Sequence, residues 1–177
     1  MYLIDTNVLM AASALGEVSA VAARAMPREI ELREIVYQWL ENFDLSEDVI
    51  VLDELGLIRD EYERNLPFNY REQEYGLRVL QAKIDRCLVE YVPIDAVRGN
   101  GEHVAVIDPE LEQIVTHRND RKWVAAAVSA LDCLGVSPPI VFGAESDWII
   151  AKAGLEARGF KLMPLLPEAW YTELVGS

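Results

Sequence analysis

Short apolar runs that hand over to polar residues recur along this chain. Tyr2-Leu3-Ile4 ends in Asp5-Thr6-Asn7, and Val8-Leu9-Met10-Ala11-Ala12 follows at a length suited to the first turns of a helix. A strand that delivers polar residues at its carboxyl end and then feeds a helix is the α/β pattern. Residues 16–43 predict a helical hairpin. Met26-Pro27 marks its break, and Ile30, Ile35, Val36, Trp39 and Leu40 recur behind it near helical spacing. Residues 48–52 predict a second strand or an apolar lead into the next helix. A helix around Leu57 to Tyr62 stops before Pro67. Another, over residues 70–88, carries Leu77, Leu80, Ile84, Cys87 and Leu88 on one side. Residues 89–92 form a strand ahead of Pro93, and residues 98–102, with two glycines, form a loop.

In the last third, Asn119 or Asp120 caps a helix that runs through Trp123 and Ala125-Ala126-Ala127 to Leu134, where Gly135 stops it. Pro138-Pro139 precedes Ile140-Val141-Phe142, the clearest buried strand. That run ends in Gly143-Ala144-Glu145-Ser146-Asp147-Trp148, and a helix follows to Arg158 with Gly159 as its C-cap. Residues 160–163 predict a last strand, and the tail after Pro167 a short helix. No internal repeat, low-complexity tract or linker is legible. At 177 residues the chain has the size of one domain, so a single domain over 1–177 is expected.

Composition narrows the function classes. With 51% hydrophobic and 26% charged residues the chain is globular, neither disordered nor collagen-like. No apolar run approaches the roughly 18 residues of a membrane helix. The start lacks a basic stretch and a small-residue cleavage site, so no secretory signal is read. Cys87 and Cys133 lie far apart and outside any CxxC, which supports neither a disulfide framework nor a structural zinc. A cytoplasmic protein without membrane contact is expected. The formal net charge of −14 repels polyanions at long range. It still allows a local positive patch, or an anionic site that first gathers divalent cations.

Ligands of open parallel sheets sit beyond the carboxyl ends of the strands. Ile4 leads into Asp5, and Phe142 into Glu145 and Asp147. Asp120 stands at a helix start and Glu61 at the front of another helix. A pocket shared by these acids would hold hard, oxygen-seeking cations such as Mg²⁺ or Mn²⁺. Each piece has a structural alternative: Asp5-Thr6-Asn7 as turn capping, Asp120 as an N-cap, Glu145 and Asp147 as a solvated helix start.

Taken in order, the residues resemble PIN-domain nucleases. The opening apolar run with Asp5-Thr6-Asn7 is similar to their start. Asn119-Asp120 before the alanine-rich helix is similar to their acid-bearing helix. Ile140-Val141-Phe142-Gly143-Ala144-Glu145-Ser146-Asp147-Trp148 is similar to their strand followed by acid-x-acid-aromatic. Two departures stand out. Ala144 and Glu145 replace the family's usual Thr and Asp, and the helical segment over about 16–115 is enlarged.

The resemblance implies a three-layer α/β/α sandwich around a central, mostly parallel sheet, and metal-dependent hydrolysis of RNA. It assigns Asp5, Asp120, Glu145 and Asp147 to Mg²⁺ or Mn²⁺ binding. Glu61 completes the site in competition with Asp53, Glu54 and Asp60, and is chosen because Glu61-Tyr62 opens a helix. Thr6 and Asn7 act by hydrogen bonding, Asn7 fixing the Asp5 carboxylate. Arg118, Arg121 and Lys122 hold substrate phosphates, or Arg121 and Lys122 merely balance neighbouring acids on a helix surface. Trp123 and Trp148 stack on bases or sit in the core. His117 is a general base or a satisfied polar histidine, and His103 has no role.

The competing readings are a PIN-like RNA- or protein-binding module without catalysis, and a haloacid-dehalogenase-like phosphatase. The latter needs an aspartate where Asn7 stands. A basic protein partner such as an antitoxin is the natural electrostatic complement, and a homodimer through the 70–88 helix is the expected mode of self-association.

Overall fold

The structure, a computed structural model, describes residues 1–16, 19–67, 73–99 and 101–176. Its elements in chain order are β1 (Leu3–Ile4), α1 (Thr6–Ser13), α2 (Ile30–Leu45), β2 (Ile50–Asp53), α3 (Leu57–Asn65), α4 (Tyr75–Asp85), β3 (Val89–Val92), β4 (Ala96–Gly99), β5 (Glu102–Ala105), α5 (Pro109–Ile114), α6 (Arg121–Leu134), β6 (Ile140–Phe142), α7 (Ser146–Glu156), β7 (Leu162–Pro164) and α8 (Glu168–Gly176). The chain is mixed α/β around a small parallel sheet. β1, β6 and β7 are neighbours in the order β1-β6-β7, all parallel, with Ile4 opposite Val141. β2 and β3 pair in parallel, Asp53 opposite Val92. A parallel bridge between Tyr2 and Ile50 joins the two groups through Tyr2 N to Val49 O and Val51 N to Tyr2 O, both 2.8 Å. The strand order is therefore β3-β2-β1-β6-β7, which puts the carboxyl ends of β1 and β6 side by side.

Every residue of β1, β2 and β6 is buried. Strands enclosed on both faces read as unbroken apolar runs, which is why these are visible in the sequence. α6 lays Trp123, Val124, Ala126 and Ala130 inward over β2, β3 and β1, its small residues allowing close approach. Gly135, at φ 68°, ends it in the left-handed conformation expected of a C-cap glycine. α1 packs on α2 and α4. At Gly76 the approach is so close that an added Cβ would stand 2.6 Å from the Leu9 Cβ.

The architecture corrects several expectations. Residues 16–43 do not form a helical hairpin, because only α2 is helical and the described residues before it are turns and extended chain. Those turns are held by side chains from other elements. The buried Arg33 donates from Nε to Pro27 O (2.6 Å) and from Nη2 to Ala25 O (2.7 Å), and Glu74 accepts from Ala20 N (2.7 Å) and Ser19 Oγ (2.8 Å). The 70–88 helix is shorter: residues 70–72 lie outside the described residues, α4 begins at Tyr75, and Cys87 takes φ 57°, which ends helical continuation. The apolar side of α4, with Leu77, Val79 and Leu80, is buried within the chain. The 98–102 loop is corrected on its described residues: Arg98 and Gly99 end β4 and Glu102 begins β5 of an antiparallel pair, with Gly101 at φ 87° before β5. Residue 100 lies outside the described residues. The last strand is displaced to Leu162–Pro164.

No helix among the described residues is long and apolar enough to cross a membrane. Cys87 and Cys133 are both free and exposed.

Candidate functional site

β1 is only two residues long, and the backbone at its end is fixed by side chains. Ile4 O accepts hydrogen bonds from the buried Tyr62 hydroxyl and from Trp123 Nε1 (3.1 Å). Asp5 follows in extended conformation, its N–H still bonded to Val141 O at 2.8 Å. Its Oδ1 accepts from Asn7 N (2.9 Å), capping α1, and its Oδ2 accepts from Trp148 Nε1 (2.7 Å). Burial pushes the Asp5 carboxyl up to about 8. The Trp148 and Asn7 bonds favour the charged form and oppose that rise, while Asp120 and Glu145 add to it.

Asn7 does not fix Asp5 with its side chain. Its backbone N–H does that, and its Oδ1 accepts instead from Gly143 N at 2.7 Å, tying the end of β1 to the end of β6. A Cβ on Gly143 would stand 3.1 Å from that Oδ1, so the close approach favours glycine. Beyond Gly143 the chain turns into α7 and presents Glu145 and Asp147. Glu145 occupies the N-cap position of α7, and Asp120 that of α6 at the end of a 3₁₀ turn, Arg118–Asp120. Neither side chain makes a capping bond. Asp120 is therefore not the N-cap ligand of its own helix, and its carboxylate faces the pocket. Burial raises Asp120 to about 6; Glu145 and Asp147 push the same way, while His117 and Lys122 oppose. Burial, followed by Asp147, also raises Glu145.

Glu61 lies inside α3, not at its opening. The start of that helix is set by Asp53, whose buried carboxylate accepts from Leu57 N and Ile58 N at 2.8 Å each. Asp53 is thus a capping residue, Glu54 is exposed, and Asp60 faces a neighbouring cleft. Glu61 alone of the four competing acids lines the pocket. Its Oε1 accepts from Thr6 Oγ1 (2.7 Å) and its Oε2 from Lys122 Nζ (2.5 Å).

The result is an open pocket of about 520 Å³ in which Asp5, Glu61, Asp120, Glu145 and Asp147 converge, with Thr6 and Asn7 in its wall. Met10, Arg64, Asn65 and Asn119 also line it. Nothing in the local sequence of Met10, Arg64 and Asn65 marks them, because α1 and α3 place them there only once packed, whereas Asn119 stands beside Asp120 in the 3₁₀ turn. His117 lies at the same rim, with Nδ1 3.6 Å from Asp120 Oδ1.

Of the two readings of the basic cluster, the pairing of Arg121 and Lys122 with neighbouring acids is the one observed. Arg121 is turned to Glu112 (2.7 Å) and is absent from the pocket wall. Lys122 is buried, bound to Glu61 and to Asn119 O, with Nζ 4.3 Å from the Trp123 ring centroid. Neither is free to hold a phosphate. Arg118 is exposed on an adjoining cleft of about 190 Å³ that shares Arg64 and Asn119 with the acidic pocket and includes His103. Trp123 and Trp148 are almost fully buried, their rings edge to face at 6.4 Å, so neither stacks on a base.

Chemically, the pocket is a set of hard oxygen donors. Three of its carboxyls carry raised pKa values that a divalent cation would relieve, and the donor set fits Mg²⁺ or Mn²⁺. No family model matches the chain, and no curated protein or solved structure matches it either.

Proposed function

We propose that this chain is a metal-dependent nuclease of the PIN type, an endoribonuclease that hydrolyses phosphodiester bonds at a carboxylate-bound Mg²⁺ or Mn²⁺, within a three-layer α/β/α fold and in the cytoplasm. One observation carries the reading. Acids from positions 5, 120, 145 and 147 meet in one pocket beyond the adjacent carboxyl ends of β1 and β6, where parallel sheets bind their ligands.

Asp5, Asp120, Glu145 and Asp147 supply the ligand oxygens, and Trp148 and Asn7 hold Asp5 in orientation. A bound ion supplies charge neutralisation and Lewis acidity toward a phosphodiester oxygen and the attacking water. Glu61, steadied by Thr6 and Lys122, presents a fixed anionic edge beside that centre. Arg118 and Arg64, at the junction with the adjoining cleft, receive the flanking phosphates of a single strand.

The test is cleavage of mixed single-stranded and folded RNA with Mn²⁺, beside the rise in melting temperature that Mn²⁺ produces in a protein with a site for it. Wild-type cleavage that Asp5→Ala/Asp120→Ala abolishes supports the proposal. Equal cleavage by both proteins shows a contaminant and overturns it.

A non-catalytic RNA- or protein-binding module is the second reading. Lys122 favours it, since its ammonium already neutralises one of the five acids. Metal-stabilised protein that binds RNA without cutting it selects this reading.

A further inference from the structure

This inference rests on the reading of the pocket as a divalent-cation site and concerns the ion it takes. His117 immediately precedes the 3₁₀ turn that carries Asp120, its backbone extended at φ −76° and ψ 116°. Its side chain is 57% exposed and makes no hydrogen bond among the described residues; the 3.6 Å to Asp120 Oδ1 is too long for one. Its contact within the fold is thus electrostatic, with the Asp120 carboxylate, and leaves the ring nitrogens without a hydrogen-bond partner among the described residues. His117, Asp120 and Asp147 nevertheless each offer one ligand atom, and the three atoms lie within 4.8 Å of one another. With metal–ligand bonds of about 2.1 Å, octahedral geometry puts neighbouring ligand atoms about 3 Å apart and opposite ones about 4.2 Å apart. The 3.6 Å between His117 Nδ1 and Asp120 Oδ1 already lies between those two values.

We propose that His117 gives a ring nitrogen to the same ion that Asp120 and Asp147 hold, and that the pocket thereby favours first-row transition ions over Mg²⁺, with Mn²⁺ the least favoured of them. Mg²⁺ takes oxygen ligands and gains little from an imidazole, whereas imidazole suits the later divalent ions. A pocket of carboxylates alone leaves that choice to availability. One nitrogen donor at its rim biases it without excluding water from the remaining positions.

The experiment uses the full chain loaded with Mn²⁺, its histidines labelled with ¹⁵N, and pulsed electron paramagnetic resonance to read nitrogen coupling to the ion. The expected result is an imidazole coupling in the wild type and in His103→Ala that disappears in His117→Ala and His117→Gln. Mn²⁺ affinity should fall about tenfold in both His117 variants while Mg²⁺ affinity moves less than about twofold. Absence of nitrogen coupling in Mn²⁺-loaded wild type, or its persistence in His117→Ala, overturns the inference and leaves the carboxylate site standing. Failure of the wild type to bind Mn²⁺ overturns both.

Discussion

Trp148 and Asp5, 143 positions apart, meet through a 2.7 Å hydrogen bond from the indole Nε1 to Oδ2. The ring packs against Trp123 and Phe142, so a core aromatic also orients the most deeply buried carboxylate of the pocket. Trp148→Phe keeps one aromatic ring in the core, leaves a small cavity beside it and removes the donor. It should cost about 1.5–3 kcal/mol of stability at pH values where Asp5 is charged, and raise the Mn²⁺ concentration needed for half-saturation. Urea unfolding and a Mn²⁺ titration check both. An unchanged titration would mean that the bond does not prepare Asp5 for an ion.

The raised carboxyls set the sign of the pH dependence. Asp5 holds its proton to about pH 8 when folded and to its ordinary value near 3.8 when unfolded, so between these limits the folded chain binds more protons. Stability of the metal-free protein should therefore fall as pH rises from 4 to 8, by on the order of 1 kcal/mol per unit, with Asp120 adding to the slope up to about pH 6. Mn²⁺ affinity should rise over the same interval, because the ion displaces those protons. Melting curves across pH, with Asp5→Asn as the flattened control, decide it.

Asp120→Asn should act in opposite directions on stability and on metal response. Removing one charge from a mutually repelling group stabilises the metal-free chain by about 0.5–2 kcal/mol, the usual gain when a functional site is relaxed. The Mn²⁺-induced rise in melting temperature should shrink in the same variant. A loss of stability without metal would show that Asp120 serves the fold.

Lys122→Met leaves Glu61 partly buried without its ammonium. A cost of about 2–3 kcal/mol is expected, moderated by the residual exposure of both groups, and Glu61→Gln in the same chain should recover most of it. Chemical denaturation of the two single variants and the double variant measures the coupling. Additive effects would show that the pair contributes no mutual stabilisation.

The parts of the site that rest on local sequence are legible in the order of residues alone. Asp5, Glu145 and Asp147 follow short apolar strands, and Asp120 precedes an alanine-rich helix stopped by Gly135, so position along the chain already implies position at the sheet edge. What is not legible depends on partners remote in sequence. Asp53 caps α3 from across Gly56, which places the helix start upstream of Glu61. The turns ahead of α2 are held by Arg33 and Glu74, whose bonds no periodicity reveals. Arg121 and Lys122 look like phosphate ligands by composition, yet each is engaged by a carboxylate from another helix. The β4–β5 pair reads as a loop because Gly99 ends one strand, Gly101 precedes the other, and the strand residues lack a clear alternation.

The carbonyl of Ile4 gathers a phenol from position 62 and an indole from position 123, one residue before the deepest acid. That arrangement makes the pocket depend on contacts between segments distant along the chain. A fragment ending before α6, or an intermediate whose two halves have yet to close, holds Asp5 on an unanchored strand end and lacks Asp120 altogether. The acidic pocket is thereby a property of the closed chain, assembled only where segments more than a hundred residues apart meet at the end of β1.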